Sequence, residues 1–240
     1  MLNPHISVDC VIFGFDFSEL RVLLVERTLE KDSGVASDVK LPGNLIRDNE
    51  DLDSSAYRIL KEFTGLESVY LEQCKVFSSP DRIDNEEDRN WLQTNTNVPV
   101  DRVISVAYYS LIRLTNNMIY NIETPYSCYW YKISEIPDLP FDHNSIIKQA
   151  LRTVRYKMKT EPLIFELLPK RFTIKQLQDL YEVIFGIHLD NRNFRKKIKG
   201  LAYIVPLEEK ERGLPNRPAQ YYMFDRKKYD KISRDRTIFL

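Results

Sequence analysis

Cysteine is scarce in this chain, with only Cys10, Cys74 and Cys128 in 240 residues. They form no Cys-x-x-Cys pair, and an odd number cannot all pair within one chain. Buried reduced thiols are therefore expected, with no disulfide scaffold and no cysteine metal site. Long apolar runs are missing too: no stretch approaches the roughly 20 residues needed to cross a bilayer. The opening MLNPHISVDC lacks the basic entry and apolar core of a secretory leader. Internal repeats and low-complexity tracts are absent. His5 and His188 have no partners at metal-ligand spacing. These absences leave a cytoplasmic protein without membrane association, and neither a metal nor a cofactor is expected.

The hydrophobic fraction of 43% is enough to build cores, and the length fits two domains of ordinary size. The formal net charge of zero hides a division. Residues 1–150 hold 14 Lys+Arg against 24 Asp+Glu, a net −10, whereas residues 151–240 hold 21 against 11, a net +10. An acidic front and a basic back imply two modules with different partners, and a polyanion is the natural partner of the basic one.

The front module opens on β-rich runs at Ser7–Phe15 and Arg21–Glu26, parted by a polar turn, which read as a hairpin. Over 53–63, Ala56, Ile59, Leu60 and Phe63 share one helical face, and Gly65 follows as a C-terminal stop. Further strands are expected around Val69–Phe77, Arg102–Leu114 and Ser127–Ile133. The segment EIPDLPFD at 135–142 is a turn leading out of the module. Asn144 or Ser145 can cap the next helix, IIKQALRTVRYKMK, with His143 assisting the cap. The boundaries expected are a sensing domain over 1–142, a connecting helix over 143–159 and a second domain over 160–240.

The stretch 41–66 reads LPGNLIRDNEDLDSSAYRILKEFTGL. It resembles, without a gap, the Nudix box: a Gly, five residues, a Glu, seven residues, then Arg-Glu-apolar-any-Glu-Glu-any-Gly-apolar. Glu50, Arg58, Leu60, Glu62, Gly65 and Leu66 match. Asn44 stands in the first Gly position with Gly43 before it, Ile59 replaces the Glu after the Arg, and Phe63 replaces the second Glu of the closing pair. The resemblance implies a Nudix-like α/β/α sandwich with a mixed sheet, an α+β fold. In the family's hydrolases the glutamates hold divalent cations that neutralise phosphate and activate water. With Ile59 and Phe63 at two of those positions, catalysis is not expected, and Glu50, Arg58 and Glu62 are expected to form an internal ion-pair network. An active hydrolase of ADP-ribose-like nucleotides, with an accessory winged-helix module and noncognate carboxylates such as Glu86 or Glu87, is the alternative.

A pocket that has lost its catalytic acids still offers a ligand site. The expected lining is Asp9, Lys40, Asn44, Arg47, Arg58, Glu62, Asp81, Arg82, Tyr108 and Tyr109, with at least one of the adjacent tyrosines packing instead. Without a metal, a small neutral polar ligand such as a pentose is expected.

The basic module has a different order. EPLIFELL (161–168) reads as a short helix ending at Pro169. FTIKQLQDLYEVIFG (172–186) has Thr173 and Gln176 at capping-box spacing, an apolar stripe of Ile174, Leu177, Leu180 and Ile184, and Gly186 as a stop. NRNFRKKIKGL (191–201) is a third helix with Phe194, Ile198 and Leu201 inward. Two strands, AYIVPL (202–207) and AQYYMF (219–224), flank a basic tip. Helix, helix, basic helix and two-stranded wing make a winged helix-turn-helix, whose third helix enters the major groove of double-stranded DNA. Asn191, Arg192, Asn193, Arg195 and Lys196 are candidate base readers. Lys199, Lys210, Arg212 and Arg217 are candidate phosphate contacts. A winged fold used for protein contact is the competing use.

Together with DRVISVAYYSLI (101–112) and FDHNSIIKQAL (141–151), these parts resemble the Nudix-related transcriptional regulators. That family couples a sensor to DNA binding as a homodimer. The decayed box resembles its arabinose-responsive branch. The resemblance implies a repressor of sugar utilisation genes that responds to L-arabinose and reads an inverted-repeat operator. The sequence leaves open whether the sugar lowers or raises DNA affinity, and lowering suits a repressor of catabolic genes.

Overall fold

The computed structural model describes residues 2–31, 34–67, 69–96, 99–115, 126–210 and 218–237. Two compact units divide the chain, 1–156 and 157–240.

In the first unit, β1 (Leu2–Phe15), β2 (Leu20–Lys31), β3 (Gly34–Lys40), β4 (Gly43–Arg47), β5 (Glu72–Phe77), β6 (Ile104–Arg113) and β7 (Cys128–Lys132) form one mixed sheet. Its order is β3-β2-β1-β6-β5, with β4 pairing on β1 and β7 on β2. β1 and β6 run parallel from Ile6–Ile104 to Phe15–Arg113, and the other pairings are antiparallel. β1 is buried on both faces, which is why VDCVIFGF reads as a continuous apolar run broken only by Asp9. The turn into β2 is tied by Asp16, whose Oδ1 accepts from the Ser18 and Glu19 amides and lets Phe17 take φ 69°.

Helix α1 (Leu52–Thr64) covers one face. Asp51 caps it by accepting from the Ser54 amide, and Gly65 ends it at φ 67° with its N–H on the Lys61 carbonyl. Ala56, Ile59, Leu60 and Phe63 pack with Val8, Cys10 and Ile12 of β1 and Leu23 and Val25 of β2. Ile59 is fully buried, worth roughly 2 kcal/mol of apolar burial. α2 (Glu86–Thr96) was invisible to periodicity because only Asp88 and Thr96 are buried along it. α3 (His143–Thr160) buries Ile146, Ile147, Ala150, Leu151 and Val154. It starts one residue before the expected caps. Asn144 instead ties the preceding loop, donating to the Pro137 carbonyl and accepting from the Leu139 amide.

In the second unit, β8 (Phe172–Thr173), β10 (Gln220–Phe224) and β9 (Ile204–Lys210) form an antiparallel sheet in that order. The expected short helix is a 3₁₀ turn at Pro162–Glu166. α4 (Ile174–Phe185) carries the capping box, with the Thr173 side chain on the Gln176 amide and the Gln176 side chain on the Thr173 amide. Gly186 ends it at φ 64°. Buried Gln178 then fixes the turn to the next helix by donating to the Leu189 carbonyl and to Glu182. α5 (Asn191–Lys199) is capped by Asp190 and buries only Phe194 and Ile198. α6 (Arg226–Thr237) was not anticipated, because RKKYDKISRDRT has no apolar stripe to reveal it. It is anchored by Tyr229, whose ring packs on Tyr203 and Phe224. This is a winged-helix arrangement with a helix added after the wing.

Candidate functional site

A cavity of about 240 Å³ opens between the first strands, α1 and α2. Asp9 of β1 lies on its floor directly beneath Gly43, its register partner on β4. A Cβ on residue 43 would sit 2.0 Å from Asp9 Oδ1, so the glycine of LPG is required by this close approach. Ser105 donates a short hydrogen bond to Asp9. Asp9 thus anchors one end of a buried polar chain.

Arg82 continues that chain. It is buried, holds Asp142 through Nε and Nη2 at 3.3 and 2.7 Å, and reaches Asp9 at 3.8 Å. Arg27 of β2, also buried, grips Asp38 and Asp88 and lies against the rings of Trp91 and Phe141 at 5.4 and 5.6 Å. Phe141 holds φ 58°, a left-handed conformation that costs a non-glycine residue about 1–2 kcal/mol. Its amide on Asp88 and its ring beside Arg27 keep it there. His143 accepts the Leu41 amide on Nδ1 at 3.2 Å, which leaves the proton on Nε2, 3.6 Å from Asp9. Burial, and then Lys40, push its pKa well below the ordinary histidine range, so the ring is neutral. His143 is therefore a wall of the cavity and not the cap expected of it.

Lys40 differs from the two arginines. Its Nζ donates to the carbonyls of Leu41 and Gly43 at 3.1 and 2.9 Å and lies 4.9 and 5.5 Å from the ring centres of Phe63 and Trp91. Among the described residues no carboxylate lies within ion-pair distance of it. Burial pushes its pKa down to about 8, against the opposing pull of Asp9. Phe63 in turn stacks on Tyr126 at 4.4 Å. The cavity thus combines a buried ammonium, lacking a direct ion pair among the described residues, with an aromatic wall and the carboxylates of Asp9 and Glu26.

Of the expected lining, Asp9, Lys40, Asn44 and Arg82 face this cavity. Arg58, Glu62 and Arg47 do not. Arg58 holds both oxygens of Glu50 at 2.6 and 2.8 Å and Glu62 at 2.9 Å, while Arg47 takes the other oxygen of Glu62 at 3.0 Å. This is the internal network expected from the box. Tyr108 and Tyr109 are both packing residues, donating to Asp53 and Glu72 respectively. Asp81 lines a separate acidic cavity of about 320 Å³ with Asp84, Glu87 and Asp138. Trp91 and Phe141 were missed, since α2 and the 135–142 turn carry no periodicity that would aim them inward, and Arg27 of β2 was missed because a charged strand residue ordinarily faces solvent.

A divalent cation does not fit the box. Glu50 and Glu62 are saturated by arginines, Ile59 is core, and Phe63 offers a ring. Among the described residues no cluster of three or more His, Cys, Asp or Glu has metal-holding geometry.

In the second unit, α5 presents Asn191, Arg192, Asn193, Arg195, Lys196, Lys197 and Lys199 to solvent. None of its five cations has an acidic partner within ion-pair distance among the described residues. Lys197 belongs with the expected set, because the short helix buries only two positions and leaves the rest of its circumference free. Lys210 is exposed at the end of β9. Arg212 and Arg217 lie outside the described residues.

Residues 164–224 match the family model described as the NrtR DNA-binding winged helix domain. An ADPR responsive transcriptional repressor, NtrR, of Acinetobacter baylyi is 29% identical over 95% of this chain and 85% of its own length. An ADP-ribose pyrophosphatase of Methanocaldococcus jannaschii is 25% identical over 63% of this chain and 75% of that protein. In fold, the crystal structure of Shewanella oneidensis NrtR complexed with a 27mer DNA superposes with a TM-score of 0.63. It covers 94% of this chain and 95% of that one at 23% identity. No described helix is long and apolar enough to cross a membrane. The chain thus joins a Nudix-like fold to a winged helix of the NrtR type, and over nearly its whole length it is similar to the ADPR responsive repressor of A. baylyi.

Proposed function

We propose that the protein is a homodimeric transcriptional repressor that reads an inverted-repeat operator. In this reading its Nudix-like domain is a non-catalytic sensor for a nucleoside-diphosphate sugar of the ADP-ribose class. The observation that carries the effector class is Lys40, a buried ammonium that lines the cavity with no carboxylate within ion-pair distance among the described residues, although Asp9 and Glu26 line the same cavity. A neutral sugar would leave that ammonium without a direct ion pair, whereas a diphosphate would accept its hydrogen bond and pair with it. The pentose effector, L-arabinose regulation and the role in carbohydrate metabolism expected from the sequence are therefore replaced. The A. baylyi relative, named for its response to ADPR, points the same way.

The DNA half of the proposal is supported by the unpaired cations of α5. Arg192, Asn193, Arg195 and Lys196 are set to meet base edges, and Lys197, Lys199 and Lys210 to meet phosphates. Effector and operator are coupled only insofar as the effector prefers one of the two states. The absence of catalysis is supported by the engagement of Glu50 and Glu62 with arginines.

Two assays on the full chain test this reading. Gel shifts with DNA from upstream of the neighbouring genes should give a discrete, salt-sensitive complex. Incubation with ADP-ribose and Mg²⁺ should leave the nucleotide intact. Robust cleavage to AMP and ribose phosphate would instead establish the hydrolase.

A further inference from the structure

Where the Nudix frame calls for the last carboxylate of its closing pair, this chain has Phe63, and the Lys40 ammonium lies 4.9 Å from the centre of that ring. The two features are complementary. An unpartnered carboxylate at position 63 would capture Lys40; a ring leaves its charge available while a cation–π contact helps hold it. The Leu41 and Gly43 carbonyls take two of its three protons. The remaining donor capacity is free for a ligand, and the cavity beside it is lined by Trp91 and Tyr126 as well as by Asp9 and Glu26. Arg27 and Arg82 cannot serve in the same way without breaking buried pairs with Asp88 and Asp142.

We infer that Lys40 takes the place of the divalent cation, so that this pocket binds the diphosphate of its effector through a lysine ammonium and without a metal. The inference rests on the proposed effector class and adds how that class is recognised. Loss of Glu at 59 and 63 is then more than decay. It removes the metal and clears an apolar seat for a fixed monovalent charge, which can bind phosphate but activates no water.

Calorimetric titration of the full chain with ADP-ribose, inorganic pyrophosphate and adenosine tests it, each in EDTA and in excess Mg²⁺. Both phosphates should bind in EDTA with affinities within about twofold of those in Mg²⁺. Lys40→Met should weaken both by roughly tenfold to a hundredfold, the value of one charge-assisted hydrogen bond, and leave adenosine binding unchanged. This variant removes an unpaired buried charge, so it is expected to fold. Binding of ADP-ribose that requires Mg²⁺ would overturn the lysine assignment and leave the sensor reading intact. Equal weakening of adenosine and ADP-ribose by Lys40→Met would overturn it too, since Lys40 would then only shape the cavity. If neither phosphate bound the wild-type chain under any condition, both the inference and the effector class would fall.

Discussion

The cations of the two units are treated in opposite ways. In the Nudix-like unit Arg27, Lys40 and Arg82 are buried, two of them locked to carboxylates and the third with none within ion-pair distance among the described residues. In the winged-helix unit Arg192, Arg195, Lys196, Lys197 and Lys199 are exposed, and none is paired among the described residues. A solvated cation costs little to leave unpaired and acts over a Debye length of roughly 10 Å. A buried one pays heavily in desolvation and acts only on what enters beside it. The first arrangement suits a long polyanion approached from outside. The second suits a single small ligand.

That contrast is broken most severely at Arg27. Arg27→Ala strands Asp88 in the interior and should cost about 3–5 kcal/mol of stability, measured by chemical denaturation. A loss below 1 kcal/mol would show that the pair is more hydrated than its burial indicates. On the exposed side, the Arg192→Ala/Lys196→Ala double variant should lose at least about tenfold in operator affinity. It should also flatten the plot of log affinity against log salt by about 1–2 units. Its stability should stay within about 0.5 kcal/mol of wild type.

Lys40→Met should act with the opposite sign to Arg27→Ala. Removing an unpaired buried charge should stabilise the domain by about 1–3 kcal/mol while abolishing the phosphate contact, a trade between stability and function. The pH dependence follows from the Lys40 pKa of about 8, below the roughly 10.4 of an unfolded lysine. The native state resists the charged form, so the penalty is present in full below pH 8 and fades as pH rises towards 10. The variant's advantage should shrink over the same window. Effector affinity should fall above pH 8 for the same reason, since the unbound lysine loses the proton that the diphosphate needs. An affinity flat from pH 7 to 9.5 would argue against a lysine contact.

Much of this was legible from residues 41–66, because the box's spacing survives the loss of its acids and predicts the Arg58 network correctly. The caps were legible too, since Thr173, Gln176, Gly65 and Gly186 act through local geometry. The cavity wall was only partly readable. Trp91 sits on a helix whose other residues are almost all polar, and Phe141 faces inward only because Asp88 holds a left-handed backbone in a turn. Both depend on long-range contacts, with Thr28, Asp88 and the Arg27 guanidinium, that no periodicity encodes. Tyr108 and Tyr109 misled for the reverse reason: polar-tipped residues on a central strand can be satisfied locally, by Asp53 and Glu72, on opposite faces.

The central claim is that a diphosphate ligand in the Nudix-like domain controls DNA binding by the other unit. Fluorescence anisotropy of a labelled operator, titrated with the protein in the presence of ADP-ribose or of L-arabinose, tests it directly. ADP-ribose should weaken operator binding by roughly fivefold or more, within the ordinary range of allosteric coupling, and L-arabinose should leave it unchanged. Release by L-arabinose with no response to ADP-ribose would contradict the account.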